Sequence, residues 1–94
     1  DPAHQINVMD LMQRFRRERN TTIVMVSHDL NLAAMYGDRL LLLKDGGIVK
    51  LGTPQQVLGK EQLEATYGCR MYVDESPLGD VPRVMPVPKE FLRD

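Results

Sequence analysis

The 94-residue chain is poor in cysteine and in aromatic side chains, and it carries no excess of either charge. Its one cysteine, Cys69, excludes an internal disulfide and fits a reducing compartment. The 12 basic and 13 acidic residues nearly cancel, which gives no electrostatic basis for binding nucleic acid or an anionic membrane surface. No apolar run approaches the roughly 20 residues of a membrane span, and no signal-peptide pattern opens the sequence.

What remains is a globular composition, with 43% hydrophobic and 27% charged residues, and the length allows one domain at most. The chain opens on Asp1-Pro2 rather than on methionine, so we expect it to be a piece of a longer protein. A fragment of an α/β domain would lack much of its sheet. We therefore expect its stability to be marginal.

The first third of the sequence predicts a helix and then a buried strand. Asp1 can cap a helix whose first position is Pro2, and the helix should end near Asn20. An apolar stripe with helical spacing is formed by Val8, Leu11, Met12 and Phe15. Every residue from Thr22 to Val26 is apolar or β-branched, which is typical of a central strand covered on both faces in a parallel sheet.

The middle of the sequence predicts a short helix and a hairpin. The helix should run roughly from Leu30 to Tyr36, with Gly37 as a left-handed cap. Arg39 to Lys44 has the pattern of a second buried strand. Asp45-Gly46-Gly47 tolerates positive φ, and Ile48 to Leu51 resumes an extended pattern, so the two strands should form a β-hairpin.

The last part predicts two short helices and a β tail. Thr53-Pro54-Gln55-Gln56 has the form of a capping box, so helices are expected near residues 54–58 and 60–67. Residues 69–74 alternate apolar and polar, as in a half-buried strand. Prolines interrupt residues 81–87, which would confine a strand there to an edge.

His28 stands where the predicted strand ends and an amphipathic segment begins. Ligands of open α/β sheets bind at the carboxyl ends of the strands, where an imidazole can donate to a phosphate oxygen or hold a water. A single histidine at such a junction can equally be a capping or packing residue, so the residues alone leave both roles open. The neighbouring Asp29 is interpreted as a helix cap.

The run from Val24 to Leu58, "VMVSHDLNLAAMYGDRLLLLKDGGIVKLGTPQQVL", resembles the carboxyl-terminal part of the nucleotide-binding subunit of ATP-binding cassette (ABC) transporters. The family's elements occur in order: Ser27-His28-Asp29, Asp38-Arg39, Leu40 to Leu43, Asp45-Gly46-Gly47 and Gly52-Thr53-Pro54. The resemblance covers about residues 1–67, and Asp1-Pro2 resembles the end of the family's D-loop.

The resemblance implies an α/β fold, the carboxyl-terminal part of a P-loop NTPase domain with parallel strands, helices and a β-hairpin. Residues 1–67 would form this ATPase part and residues 68–94 a β tail. On that alignment the phosphate loop, the glutamine loop, the signature sequence and the catalytic glutamate lie upstream of Asp1.

The resemblance also implies a function. His28 would be the switch histidine, which contacts the γ-phosphate of ATP and the attacking water, and Asp1 would lie at the junction of a homodimer. The full-length subunit would hydrolyse ATP with Mg²⁺ and associate with transmembrane permease subunits on the cytoplasmic face of the membrane. The fragment alone should be inactive, bind no cofactor, metal ion or nucleic acid, and self-associate.

The tail bears on the transported substrate. "EQLEATYGCRMYV", before a proline-rich strand, resembles the tail of importer ATPases for iron-siderophore, haem or cobalamin, although an ordinary β appendage would look the same. Two other functions stay open. One is a non-enzymatic α/β interaction module, and the other is an ABC-type ATPase that takes no part in transport.

Overall fold

The computed structural model describes residues 1–92 of the chain and contains four α-helices and four strands. In chain order these are α1 (Pro2–Arg19), α2 (Leu30–Tyr36), β1 (Leu40–Lys44), β2 (Gly47–Gly52), α3 (Pro54–Val57), α4 (Lys60–Tyr67), β3 (Met71–Glu75) and β4 (Pro82–Pro86), followed by a 3₁₀ turn, Lys89–Phe91. The α/β class is confirmed. Within residues 1–92, no helix combines the length and apolar character needed to cross a bilayer.

Helix α1 has the predicted bounds, but its apolar stripe is uncovered. The Asp1 carboxylate accepts a hydrogen bond from the Ala3 amide at 3.1 Å, and Asn20 ends the helix in the left-handed conformation. No α1 residue is buried, and Leu11 and Phe15 are both exposed. Caps therefore define both ends of the helix, while residues 1–92 leave its apolar face uncovered.

Thr22–Val26 does not form the predicted central strand. The segment has no strand partner within residues 1–92, and Val24 and Val26 are 90% and 91% exposed. A strand in the middle of a parallel sheet needs a hydrogen-bonded neighbour on each side. Both sheets of the described part are antiparallel pairs, β1 with β2 and β3 with β4, so the expectation of parallel strands was also wrong for these residues.

The β1–β2 hairpin is confirmed, whereas burial of β1 on both faces is not. Asp45 and Gly46 both have positive φ, as a two-residue turn of the primed type requires. Only Leu42 of β1 is buried, while Leu41 and Leu43 on the other face are 50% and 55% exposed. The hairpin is therefore apolar on both faces but covered on one.

The core brings together α2, β1, α3, α4 and the tail strands. Leu63 is 0% exposed and lies at its centre. The cluster consists of Ala34, Leu42, Val57, Leu58, Leu63, Met71 and Val84. The predicted capping box starts α3, because the Thr53 hydroxyl accepts from the Gln56 amide while the Gln56 side chain accepts from the Thr53 amide.

The tail strands β3 and β4 form a hairpin whose buried face joins this core. Met71 and Val84 are the buried residues, and the prolines stand only at the ends of β4. On the outer face Arg83 donates to both carboxylate oxygens of Asp74, at 2.9 and 2.5 Å, which lowers the pKa of Asp74. The last two residues of the predicted 68–94 tail, Arg93 and Asp94, lie outside the described residues.

Gly37 ends α2, but not in the left-handed conformation that was expected. Its φ of -82° and ψ of 132° are open to any residue. The glycine is needed for space instead. A Cβ at this position would lie 2.8 Å from the Ala33 carbonyl oxygen and 2.8 Å from Leu40 Cδ2.

We predict that Gly37→Ala lowers the free energy of unfolding by about 1–3 kcal/mol, because the added methyl must displace backbone or a packed leucine. Gly47→Ala is the matched control, since a Cβ there meets only the Lys44 carbonyl oxygen at an ordinary 3.6 Å. It should change the stability by no more than about 0.5 kcal/mol. Urea unfolding measures both, and equal stabilities would refute the steric role of Gly37.

Candidate functional site

His28 lies in the connection between the extended segment 22–26 and α2, with its side chain exposed. The Ser27 hydroxyl bridges this position, because it donates to the Asp29 carbonyl oxygen and accepts from the Asp29 amide, both at 3.1 Å. Among the described residues, no side-chain hydrogen bond or ion pair engages His28. The turn is thus held through its backbone, while the imidazole stays available to a ligand.

Asp29 is the N-cap of α2, as interpreted from the sequence. Its carboxylate accepts from the Leu32 amide at 3.0 Å, and its carbonyl oxygen accepts from the Ala33 amide at 3.0 Å. The carboxylate therefore satisfies an amide of the first helical turn that would otherwise have no partner. This arrangement uses Asp29 to start the helix directly after His28.

The other end of α2 is fastened to α1 by polar contacts. The Tyr36 hydroxyl donates to Asp10 Oδ1 at 2.7 Å, and this bond to a carboxylate raises the pKa of Tyr36. Gln13 donates to the Tyr36 carbonyl oxygen at 3.2 Å, and Arg16 forms an ion pair with Asp38. These contacts set the position of α1 against α2, although no residue of α1 is fully buried.

Asp1, the other predicted site residue, is an exposed helix cap. Among residues 1–92 no hydrogen bond or ion pair joins it to His28, so the structure does not bring the two into one cluster. The same residues contain no group of three or more histidine, cysteine, aspartate or glutamate side chains placed to hold a metal ion.

Sequence reasoning missed Asn31, the second residue of α2. Its side-chain amide bonds the backbone of Val84 in β4, 53 positions further along the chain. No local pattern indicates such a partner. The weak signal present is an asparagine inside a helix, where it is not a favoured residue.

The chain is similar to ATP-binding proteins of bacterial importers, although no protein-family profile matches it. The hemin import ATP-binding protein HmuV of Vibrio vulnificus is 40% identical over 86 residues, which are 92% of this chain and 33% of that protein. The ferric enterobactin transport ATP-binding protein FepC of Escherichia coli is 36% identical over 87 residues, which are 93% of this chain and 32% of that protein. The chain thus spans about a third of the length of these curated relatives.

A solved structure shares the fold. A metal-chelate type ABC transporter in an inward-facing conformation superposes with a TM-score of 0.84 and 24% sequence identity. The match covers 98% of this chain and 38% of the other. The exposed segment 22–26 and helix α1 therefore belong to a fold that a solved structure also has.

We predict that Asp29→Ala destabilises the chain by about 1 kcal/mol, because the Leu32 amide loses its cap. Asp29→Asn keeps a side-chain oxygen in place and should stay close to the parent. Circular dichroism during urea unfolding measures both variants. If alanine and asparagine behave alike, the cap contributes nothing.

Proposed function

We propose that the chain is a carboxyl-terminal part of an ABC ATPase of the siderophore and haem importer branch. The whole protein would hydrolyse ATP to drive import through separate transmembrane permease subunits. The observation that supports this is 36–40% identity with two import ATP-binding proteins over more than nine-tenths of the chain. We further propose a cytoplasmic location, peripheral on the inner face of the membrane, and cargo of the iron-siderophore, haem or cobalamin kind.

His28 is proposed to act on the γ-phosphate of ATP. Its exposed imidazole has no competing partner among residues 1–92, and the Ser27 bridge holds the backbone on either side of it. An imidazole N–H aimed at a phosphate oxygen would stabilise charge that develops during phosphoryl transfer, and it would orient the attacking water. This makes His28 the proposed catalytic residue of the chain.

Binding of ATP and Mg²⁺ requires residues that this chain does not contain. Binding of the phosphates depends on the backbone amides of a glycine-rich loop, its lysine and a metal site, and the 94-residue sequence contains no such loop. We propose that residues upstream provide them, and that the fragment alone neither binds nor hydrolyses ATP. The ATP sandwich would form between two subunits, with Asp1 near their junction.

The division into an ATPase part, residues 1–67, and a tail, residues 68–94, is retained as a proposal. The tail does not carry a core of its own within the described residues. Met71 and Val84 are buried in the same cluster as Val57 and Leu63. The tail is therefore proposed to be packed on the ATPase part as an extension of it.

We predict that His28→Ala in the complete subunit lowers kcat roughly a hundredfold or more and leaves the KM for ATP nearly unchanged. A group directed at transition-state charge contributes about 3–4 kcal/mol to the barrier, whereas ground-state affinity is set elsewhere. Steady-state phosphate release at varied ATP measures both constants.

The control is His4→Ala, which changes the other histidine, exposed on α1. It should keep the parental turnover. The isolated 94-residue chain should show no Mg-ATP binding by calorimetry. Parental turnover in His28→Ala would remove the proposed catalytic role of His28 and leave it a structural capping residue.

In isolation, a second copy of the chain is proposed to cover the apolar surface left open. The radius of gyration of 14.6 Å exceeds the roughly 12 Å of a compact domain of this length. Exposed apolar side chains occupy the extended segment and the outer face of the hairpin: Val24, Val26, Leu41, Leu43, Ile48 and Leu51. Covering several hundred Å² at about 25 cal/mol per Å² would favour association by several kcal/mol before entropic costs.

We predict that the 94-residue chain sediments as a dimer or larger species at about 50 μM, because burial of this apolar area offsets the entropic cost of association. The double variant Val24→Lys/Val26→Lys should shift it toward monomer, since both side chains are exposed and charge there opposes burial. A parental chain that sediments as a monomer would contradict the proposal.

A further inference from the structure

We propose that Asn31 is a positioning residue through which the tail hairpin fixes the loop that carries His28. The Asn31 side-chain amide nitrogen donates to the Val84 carbonyl oxygen at 3.0 Å, and its side-chain oxygen accepts from the Val84 amide at 2.7 Å. The two bonds give Val84 of β4 the same donor and acceptor that the backbone of a neighbouring strand would provide. The catalytic consequence of this inference rests on the function proposed for His28.

The bond pair occupies the free edge of β4. Strand β4 pairs with β3 along one side only, so its other side carries amide and carbonyl groups that need partners. Val84 is 5% exposed and belongs to the core, and both of its bonds to Asn31 are partly buried. Loss of the asparagine would leave a donor and an acceptor unpaired where water has limited access.

The pair of hydrogen bonds between Asn31 and Val84 lies within one helical turn of His28. Helix α2 has only seven residues, too few to be stable without tertiary contacts, so those contacts decide where it lies. Asn31 is its second residue and stands three positions after His28. A displacement of the helix start would therefore move the loop and the imidazole with it.

Other polar contacts of the tail reach different helices. Gln55 of α3 donates to the Asp80 carbonyl oxygen at 2.7 Å, and Glu64 of α4 accepts from the Met71 amide at 2.8 Å. In the described part of the chain, Asn31 makes the side-chain hydrogen bonds that join the tail to α2. Gln55→Ala is therefore a matched control, because it removes a side-chain amide that bonds the same hairpin without touching α2.

The experiment compares Asn31→Ala with Gln55→Ala. Hydrogen exchange of the 94-residue chain, read by mass spectrometry on peptides covering residues 28–36, should become several-fold faster in Asn31→Ala and stay parental in Gln55→Ala. In the complete subunit, Asn31→Ala should lower kcat about tenfold to a hundredfold with an unchanged KM for ATP, as expected for a misplaced catalytic group. Asn31→Asp replaces the donor by an oxygen that faces the Val84 carbonyl, and it should act like alanine while keeping the size of the side chain.

Parental exchange in both Asn31 variants, or equal acceleration in Gln55→Ala, would overturn the positioning role. Parental kcat in Asn31→Ala beside an impaired His28→Ala would also overturn it while leaving the proposed function intact. If His28→Ala keeps the parental rate, the proposed catalytic role of His28 fails instead, and the exchange data alone then decide whether Asn31 holds the loop. Should Asn31→Ala fail to fold, the exchange and kcat of Asn31→Asp decide by the same criteria.

Discussion

Burial of Leu63 and Val57 is the constraint on which the rest of this fold depends. These two side chains are the most fully enclosed in the described part of the chain, and the cluster around them draws on α2, β1, α3, α4 and both tail strands. Each of these elements is only four to eight residues long, so none would persist without the others. The apolar contacts therefore fix where α2 lies, and the start of α2 in turn fixes where the His28 loop ends.

Helix α1 lies outside this core and is attached to α2 by polar contacts. Helix α1 has no buried residue and contacts the end of α2 through Tyr36, Gln13 and Arg16. Exposed polar contacts of this kind are individually weak. They therefore specify the orientation of α1 more than they stabilise it, and the apolar stripe of α1 stays uncovered by residues 1–92.

Features set by adjacent residues could be predicted from the sequence, and features set by distant ones could not. The Asp1 and Asp29 caps, the Thr53 capping box and the Asp45-Gly46 turn each depend on three or four neighbouring residues, and all formed as expected. Thr22–Val26 needs strand partners that residues 1–92 do not supply. Gly37 was assigned the right place and the wrong reason, because its constraint is not a backbone angle but the Ala33 carbonyl oxygen and Leu40 Cδ2, which both crowd the position of a Cβ. The position of His28 was likewise evident, whereas the hydrogen bonds between Asn31 and Val84 span 53 positions and left only the weak signal of an asparagine inside a helix.

The placement of His28 requires contacts from both directions along the chain. On its amino-terminal side the extended segment is exposed and supplies no fixed reference within residues 1–92, so the Ser27 bridge and the Asp29 cap can define only the local shape of the turn. A locally rigid turn on a loosely held helix would still move as a unit. The contacts that attach the turn to the core must therefore come from its carboxyl-terminal side. They are made by Ala34, which lies in the apolar cluster, and by Asn31 of α2, which bonds β4. Because a hydrogen bond depends on direction more steeply than an apolar contact does, the asparagine would set the rotation of α2 about its axis while the cluster sets its depth. The tail hairpin β3–β4 would thereby become part of the support for the loop that carries His28.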